Sequence, residues 1–327
     1  MFNVLLTSVG RRVELVRGFR AAYRGLGLAG RIVATDIDEL APAFQVVDTP
    51  IRVPRIKDPR YLPKIIEICE TQDISLVLPL IDPEIPVLSR HKVAIEQTGA
   101  KLGVVDLAAT EISQDKWLAF EFFRRIGLPT PKSWLPDNLP SEIEFPIFAK
   151  PRTGSAAENT FPIRNQRELE FFRDYVPNPI FQEFLPGPEI TSDIVCGLDG
   201  RVLSVISRER IAVRGGEAIK AVTIHDERIR DACHEIAKEL PAVGPITAQC
   251  MMKDGVPHFI EINARLGGGI PLAIAAGVDV PALLLADAAN LTTEIATEYQ
   301  AGLYMTRCDE SFFVTEKLGE QLTSRHL

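Results

Sequence analysis

The chain has 327 residues, 46% hydrophobic and 24% charged, enough to bury a sizeable core and to build two or three domain-sized units. Its formal net charge of −8, with no Lys/Arg-rich run interleaved with aromatics, argues against nucleic acid as a partner. The five cysteines, Cys69, Cys196, Cys233, Cys250 and Cys308, form no Cys-x-x-Cys pair, which disfavours a zinc site and reads as reduced core residues.

The first apolar run meets Arg11 and Arg12 too soon for a secretory leader, and residues 270–285 contain Pro271, Asp279 and Pro281, unsuited to a membrane span. A cytoplasmic location without a membrane partner is expected. Strands are predicted over residues 3–6, 32–35 and 76–80, and amphipathic helices over 11–26, 59–70 and 84–97. That alternation reads as a Rossmann-like parallel sheet covered by helices. The turn after the first strand holds one glycine, Gly10, where a dinucleotide fingerprint needs three, so NAD binding is disfavoured despite Asp36 at the second strand end. Ser8, Arg11 and Arg12 at this turn suit an anion, and Asp82 and Glu84 after the third strand suit a cationic amine.

The pattern changes near residues 106–113, and a helix over 115–126 stops at Gly127 before Pro129, which places a boundary at about residue 110. A Pro-containing stretch leads to a strand over 146–150, a second over 160–163, a helix over 166–175 and a strand over 180–184. From Glu189 the chain becomes hairpin-like, with strands over 190–196 and 202–207 around Leu198-Asp199-Gly200. A helix over 227–240, a hairpin about Lys253-Asp254-Gly255 and a glycine-rich lead into two helices over 266–290 complete the reading. The units expected are 1–110, 111–185 and 186–327.

Four segments carry candidate chemistry. Glu261, Asn263 and Arg265 alternate along one strand, so a carboxylate, an amide oxygen and a guanidinium share a face. Hard oxygen ligands suit a divalent ion between phosphates, and a three-residue loop at 253–255 would bring Gln249 to the same face. Lys150 ends a buried strand in FAKP, where its ammonium can reach nucleotide phosphates. The segment FQEFLPGPEITSD suits a hinge between lobes, with Glu183 and Glu189 as acids near an adenine edge and a ribose. Arg208, Arg210 and Arg214, beside Gly215-Gly216, suit an anionic substrate or a γ-phosphate. A solvated strand face, a snorkelling lysine, a surface turn and a salt-bridged strand are the plain structural alternatives.

Taken in order, Lys116, Lys150, Glu183 to Glu189, Gln249, Glu261, Asn263 and Arg265 resemble the ATP-grasp superfamily, and most of all one synthetase half of the carbamoyl phosphate synthase large subunit. The resemblance spans most of the chain. It implies a Rossmann-like pre-ATP-grasp domain followed by a two-lobed ATP-grasp domain, an α/β and α+β architecture. It implies ATP and Mg²⁺ (or Mn²⁺) as cofactors. Lys116 and Lys150 would contact ATP phosphates, Glu183, Phe184 and Leu185 the adenine, and Glu189 the ribose. Gln249, Glu261 and Asn263 would bind metal, and Arg265 and Lys150 would act in catalysis. The implied reaction joins a small carboxylate to an amine or related nucleophile through an acyl-phosphate, releasing ADP and phosphate. A homodimer is compatible with this reading. The loop PRTGSAAEN after Lys150 has a single glycine and carries Glu158, which leaves a non-catalytic ATP-binding module as the alternative. One synthetase-like half without a duplicate or an ammonia-supplying domain makes carbamoyl phosphate synthesis itself unexpected.

Overall fold

All five residues of β1 (Asn3–Thr7) are buried, as a strand covered on both faces requires. In the computed structural model, which describes residues 1–154, 158–292 and 298–315, β1 lies at the centre of a parallel sheet. Its order is β3-β2-β1-β4-β5, with β2 (Ile32–Asp36), β3 (Thr49–Arg52), β4 (Ile74–Pro79) and β5 (Lys101–Leu102). Val4 and Leu6 face a core with α1 (Val13–Gly25), while Leu5 faces another with α2 (Tyr61–Thr71). The single helix expected over 84–97 is broken at His91 into α3 (Ile85–Arg90) and α4 (Lys92–Glu96), because His91 has φ −110° and ψ 21° and leaves the helical region.

Two short helices, α5 (Leu107–Gln114) and α6 (Lys116–Arg125), lead onward, and Asp115 between them caps α6 by accepting from the Trp117 and Leu118 amides. A small antiparallel sheet follows in the order β6-β9-β7-β8, from β6 (Ser133–Trp134), β7 (Ile147–Pro151), β8 (Phe161–Ile163) and β9 (Pro179–Glu183). With α7 (Gln166–Tyr175) it encloses a separate small core around Phe181.

The large sheet is antiparallel, in the order β14-β13-β10-β11-β12-β15. Its strands are β10 (Glu189–Cys196), β11 (Val202–Arg214), β12 (Glu217–Ile224), β13 (Pro245–Lys253), β14 (Val256–Asn263) and β15 (Tyr304–Thr306). Helix α8 (Glu227–Glu239) covers one face, and α9 (Ile270–Ala275) and α10 (Val280–Ala288) close against α1. The two larger hydrophobic cores each contain residues of both the parallel and the large antiparallel sheet, so these two units are packed as one body. Four cysteines are buried as expected, but Cys308 is exposed because it follows the edge strand β15. No helix among the described residues is long and apolar enough to cross a membrane.

Candidate active site

Between the small sheet and the large one lies a cavity of about 480 Å³, reached by side chains from all three units. The register of the large sheet explains why its polar residues converge there. Lys253 pairs with Val256, so the β13–β14 loop is the two residues Asp254 and Gly255, with φ of 50° and 74°, and not the three-residue loop expected. Without a further irregularity, that turn would send Gln249 to the opposite face. A bulge at Ile260 intervenes: Cys250 pairs with Phe259 but Gln249 pairs with Glu261, and Thr247 with Asn263. Gln249, Glu261 and Asn263 therefore share the cavity face, as does Thr191 opposite Gln249 on β10.

Gln249 Nε2 donates to Glu189 Oε1 at 2.8 Å, and its Oε1 accepts from Asn263 Nδ2 at 3.3 Å. Among the described residues no protein donor meets the Glu261 carboxylate or Asn263 Oδ1, so these oxygens face the cavity uncommitted. Lys150 emerges from β7 on the facing wall and makes no hydrogen bond there. Burial pulls its pKa down to about 8, Glu261 opposing, Lys116 adding to the fall and Glu189 again opposing. Lys116, at the start of α6, lines the same cavity and donates to the Gly154 carbonyl at 2.8 Å. Asp115 also accepts from Arg152 at 3.1 and 2.5 Å, which ties α6 to the end of β7 and sets the two lysines side by side.

The connection from β9 to β10 forms one rim. Leu185 is buried and lines the cavity with Phe148, Met251 and Ile260, an apolar slot fit for a flat ring. Phe184 does not line it and instead stacks on Phe148, with centroids 5.3 Å apart and planes 10° apart. Glu183 borders the slot, but its carboxylate is engaged by the Lys253 ammonium and by the Lys132 amide at 3.2 Å. Burial alone would raise its pKa; the hydrogen bonds from Lys253 and Lys132 outweigh it and hold the group below the ordinary carboxylate range. Gly187 is required by a close approach, since a Cβ there would sit 1.7 Å from the Met252 carbonyl oxygen.

Residues 4–103 match the family described as PylC-like, N-terminal domain, and residues 176–311 match ATP-grasp in the biosynthetic pathway with Ter operon. The chain is an ATP-grasp protein. It is 24% identical over 273 residues to the 3-methyl-D-ornithine–L-lysine ligase of Methanosarcina barkeri, covering 82% of this chain and 70% of the relative. A carbamoyl-phosphate synthase of Methanobrevibacter smithii is 24% identical over 255 residues, 72% of this chain and 68% of that one. The biotin carboxylase of Campylobacter jejuni, solved with a βγ-ATP ligand, superposes with a TM-score of 0.70 at 17% identity, over 92% of this chain and 74% of that one. Likeness to carbamoyl phosphate synthase is thus one of several at similar identity.

Within this ATP-grasp cleft the structure distributes the remaining sequence candidates unevenly. Arg265 lines the cavity and donates to Asp82 Oδ2 at 2.9 and 3.2 Å, so one oxygen of Asp82 serves a guanidinium, while its buried Oδ1 has no hydrogen-bond partner among the described residues. Glu84 is fully buried and accepts from Thr7, Ser8 and Tyr61 at 2.7, 2.6 and 2.5 Å, so neither it nor the Ser8 hydroxyl faces the cavity. Arg208 is buried and paired with Asp193, and Arg210 donates to Glu189 Oε1 at 2.5 Å and to the Gly216 carbonyl at 2.8 Å. Arg214, displaced by register shifts about Ala212, is exposed and pairs with Asp309 at 2.8 Å, outside the cavity. Arg12 lines the cavity while Arg11 is 70% exposed. Asp36 accepts from the Gly10 amide at 2.8 Å, so the acid that a dinucleotide ribose would need closes the turn instead.

Sequence reasoning assigned no role to Asp193, Glu217 or the glycines at 267–269. The run of three glycines was the available signal. A Cβ at Gly267 would lie 2.3 Å from Asp193 Oδ1 and one at Gly269 2.0 Å from Arg208 Nε, so the loop is glycine because it lies directly on this buried ion pair. Ser155, Ala156 and Ala157 of the loop after Lys150 lie outside the described residues, while Glu158 lines the cavity.

Proposed function

We propose that this protein uses ATP to activate a small-molecule carboxylate as an acyl-phosphate and transfers the acyl group to an amine or related nucleophile, with release of ADP and phosphate. The adenine lies in the slot of Leu185, Phe148, Met251 and Ile260. Glu189 takes the ribose: its hydrogen-bond partners among the described residues, Arg210 and Gln249, both bind Oε1, which leaves Oε2 for hydroxyl donors. Lys150 and Lys116 meet the phosphates, where each ammonium offsets negative charge without fixing a bidentate geometry.

The donor set fits Mg²⁺ or Mn²⁺: Glu261 and Asn263 present uncommitted hard oxygens, and Gln249 Oε1 keeps a second lone pair beside them. A divalent ion held there would neutralise charge on the transferring phosphoryl group. Arg265, held by Asp82, is aimed at the acyl-phosphate and stabilises the charge that develops as the carboxylate attacks and as phosphate departs.

The observation that carries this reading is the convergence of Lys116, Lys150, Glu261, Asn263 and Arg265 on one cavity. The test is ADP release with Mg²⁺-ATP across carboxylates and amines, with hydroxylamine added to trap acyl-phosphate as hydroxamate. Acid-dependent ADP and hydroxamate support the proposal. Tight ATP binding with no ADP from any acid supports the binding-module reading, which Glu158 in the cavity wall favours.

A further inference from the structure

Every arginine on the cavity wall except one is joined to a carboxylate by hydrogen bonds. Arg208 donates to Asp193, Arg210 to Glu189 and Arg265 to Asp82. The exception is Arg12. Its guanidinium makes no side-chain hydrogen bond among the described residues, and its ion-pair partner, Glu217 Oε1, is 3.4 Å away. Glu217 is itself shared, with Oε2 3.8 Å from Arg11 and 3.5 Å from Arg307. Arg307 also reaches the exposed Glu14 at 3.8 Å, so three guanidiniums meet two carboxylates.

This surplus lies in a confined place. The Arg12 side chain is only 19% exposed, and a Cβ on Gly268 would sit 3.2 Å from its Nη1 and 3.4 Å from Glu217 Oε1. Arg307 donates to the Gly268 carbonyl and fixes that peptide over the pair. Burial pulls the Arg12 pKa down to about 10, Glu217 opposing and Arg265 and Arg307 adding to the fall. A largely buried fork of five donors, with no hydrogen-bonded acceptor among the described residues and a single carboxylate oxygen at 3.4 Å, is completed by an anion. The triphosphate has its own cations in Lys116 and Lys150, and the reacting carboxylate has Arg265.

We propose that the acid substrate carries a second anionic group, which Arg12 receives while the reacting carboxylate lies at Arg265. The inference rests on the ligase reading for the role of Arg265 but not for the existence of the anion site. Arg11 is too exposed to define the subsite, and Arg307 acts as a positioning residue by holding Gly268 and engaging Glu217.

The test uses the full chain loaded with MgADP and calorimetric titration of succinate, glutarate and adipate against their monomethyl esters, which keep the chain length and remove one charge. At least one diacid is expected to bind tenfold or more tightly than its ester. Arg12→Gln abolishes that preference, and Arg12→Lys, which keeps charge but not the fork, retains part of it. Equal binding of diacid and ester throughout the series, or an undiminished preference in Arg12→Gln, overturns the proposal. Hydroxylamine-trapped turnover, run in parallel, separates the two readings. Diacid-selective binding without ADP formation counts against the ligase reading and supports the anion site; turnover of monoesters as readily as diacids counts against the anion site alone.

Discussion

Replacing Lys150 by Met removes a cation that the free protein holds at a disadvantage. Its folded pKa of about 8 lies below the ordinary 10.5, so the folded state favours the neutral amine relative to the unfolded chain. The gap corresponds to about 3 kcal/mol of lost stability at neutral pH, using roughly 1.4 kcal/mol for each unit of pKa. That penalty is fully present below pH 8, shrinks as the folded lysine deprotonates, and disappears once the unfolded lysine does so near 10.5. Lys150→Met should therefore be more stable than the parent by up to about 3 kcal/mol at pH 7, and by roughly half of that or less at about pH 9.5. Urea denaturation at the two pH values measures this directly. The same variant should lose the stabilisation that Mg²⁺-ATP gives the parent, because the ammonium is retained for phosphate. A Lys150→Met protein that is less stable than the parent at pH 7, or equally stabilised at both pH values, would show that Lys150 carries no such penalty.

Two further substitutions probe the site. Asp193→Asn leaves Arg208 charged and buried beneath the glycine loop and should cost about 3–5 kcal/mol in urea denaturation, most of it recovered when Asp193→Leu is combined with Arg208→Met; a cost below about 1 kcal/mol would contradict the assignment. Glu261→Gln, at a carboxylate with no protein hydrogen bond among the described residues, should leave the melting temperature nearly unchanged and lower metal-dependent kcat by at least ~100-fold, and full retained turnover would remove Glu261 from the metal set.

Much of the parallel sheet is legible because β1, β2 and β4 are apolar runs separated by amphipathic helices. The strands β3 and β5 are not: one begins Thr49-Pro50 and the other has two residues, so neither shows an alternating pattern. The proposed metal-facing residues are legible from their spacing on β14, yet the expected reason for Gln249 joining them is wrong. A two-residue turn and a bulge at Ile260 reach the same face by a different route, and a bulge leaves no periodic trace in sequence. Arginine positions are visible in the sequence, but which of them is already matched by an acid depends on contacts between distant segments. Arg265 meets Asp82 across 183 positions, and Arg307 meets Glu217 across 90. For that reason Arg208 and Arg210 read as free cations in the sequence, and Arg12, already an anion candidate there beside Ser8 and Arg11, is singled out as the under-paired guanidinium only in three dimensions.

We propose that one triphosphate lies between the Lys116 and Lys150 ammoniums and the Glu261 and Asn263 oxygens. A crystal structure with a non-hydrolysable ATP analogue and Mg²⁺ tests it most directly. Both ammoniums are expected within hydrogen-bond distance of phosphate oxygens, with the ion held between those phosphates and Glu261 and Asn263. A nucleotide bound elsewhere, or phosphates that touch the lysines while the ion sits away from β14, would contradict it.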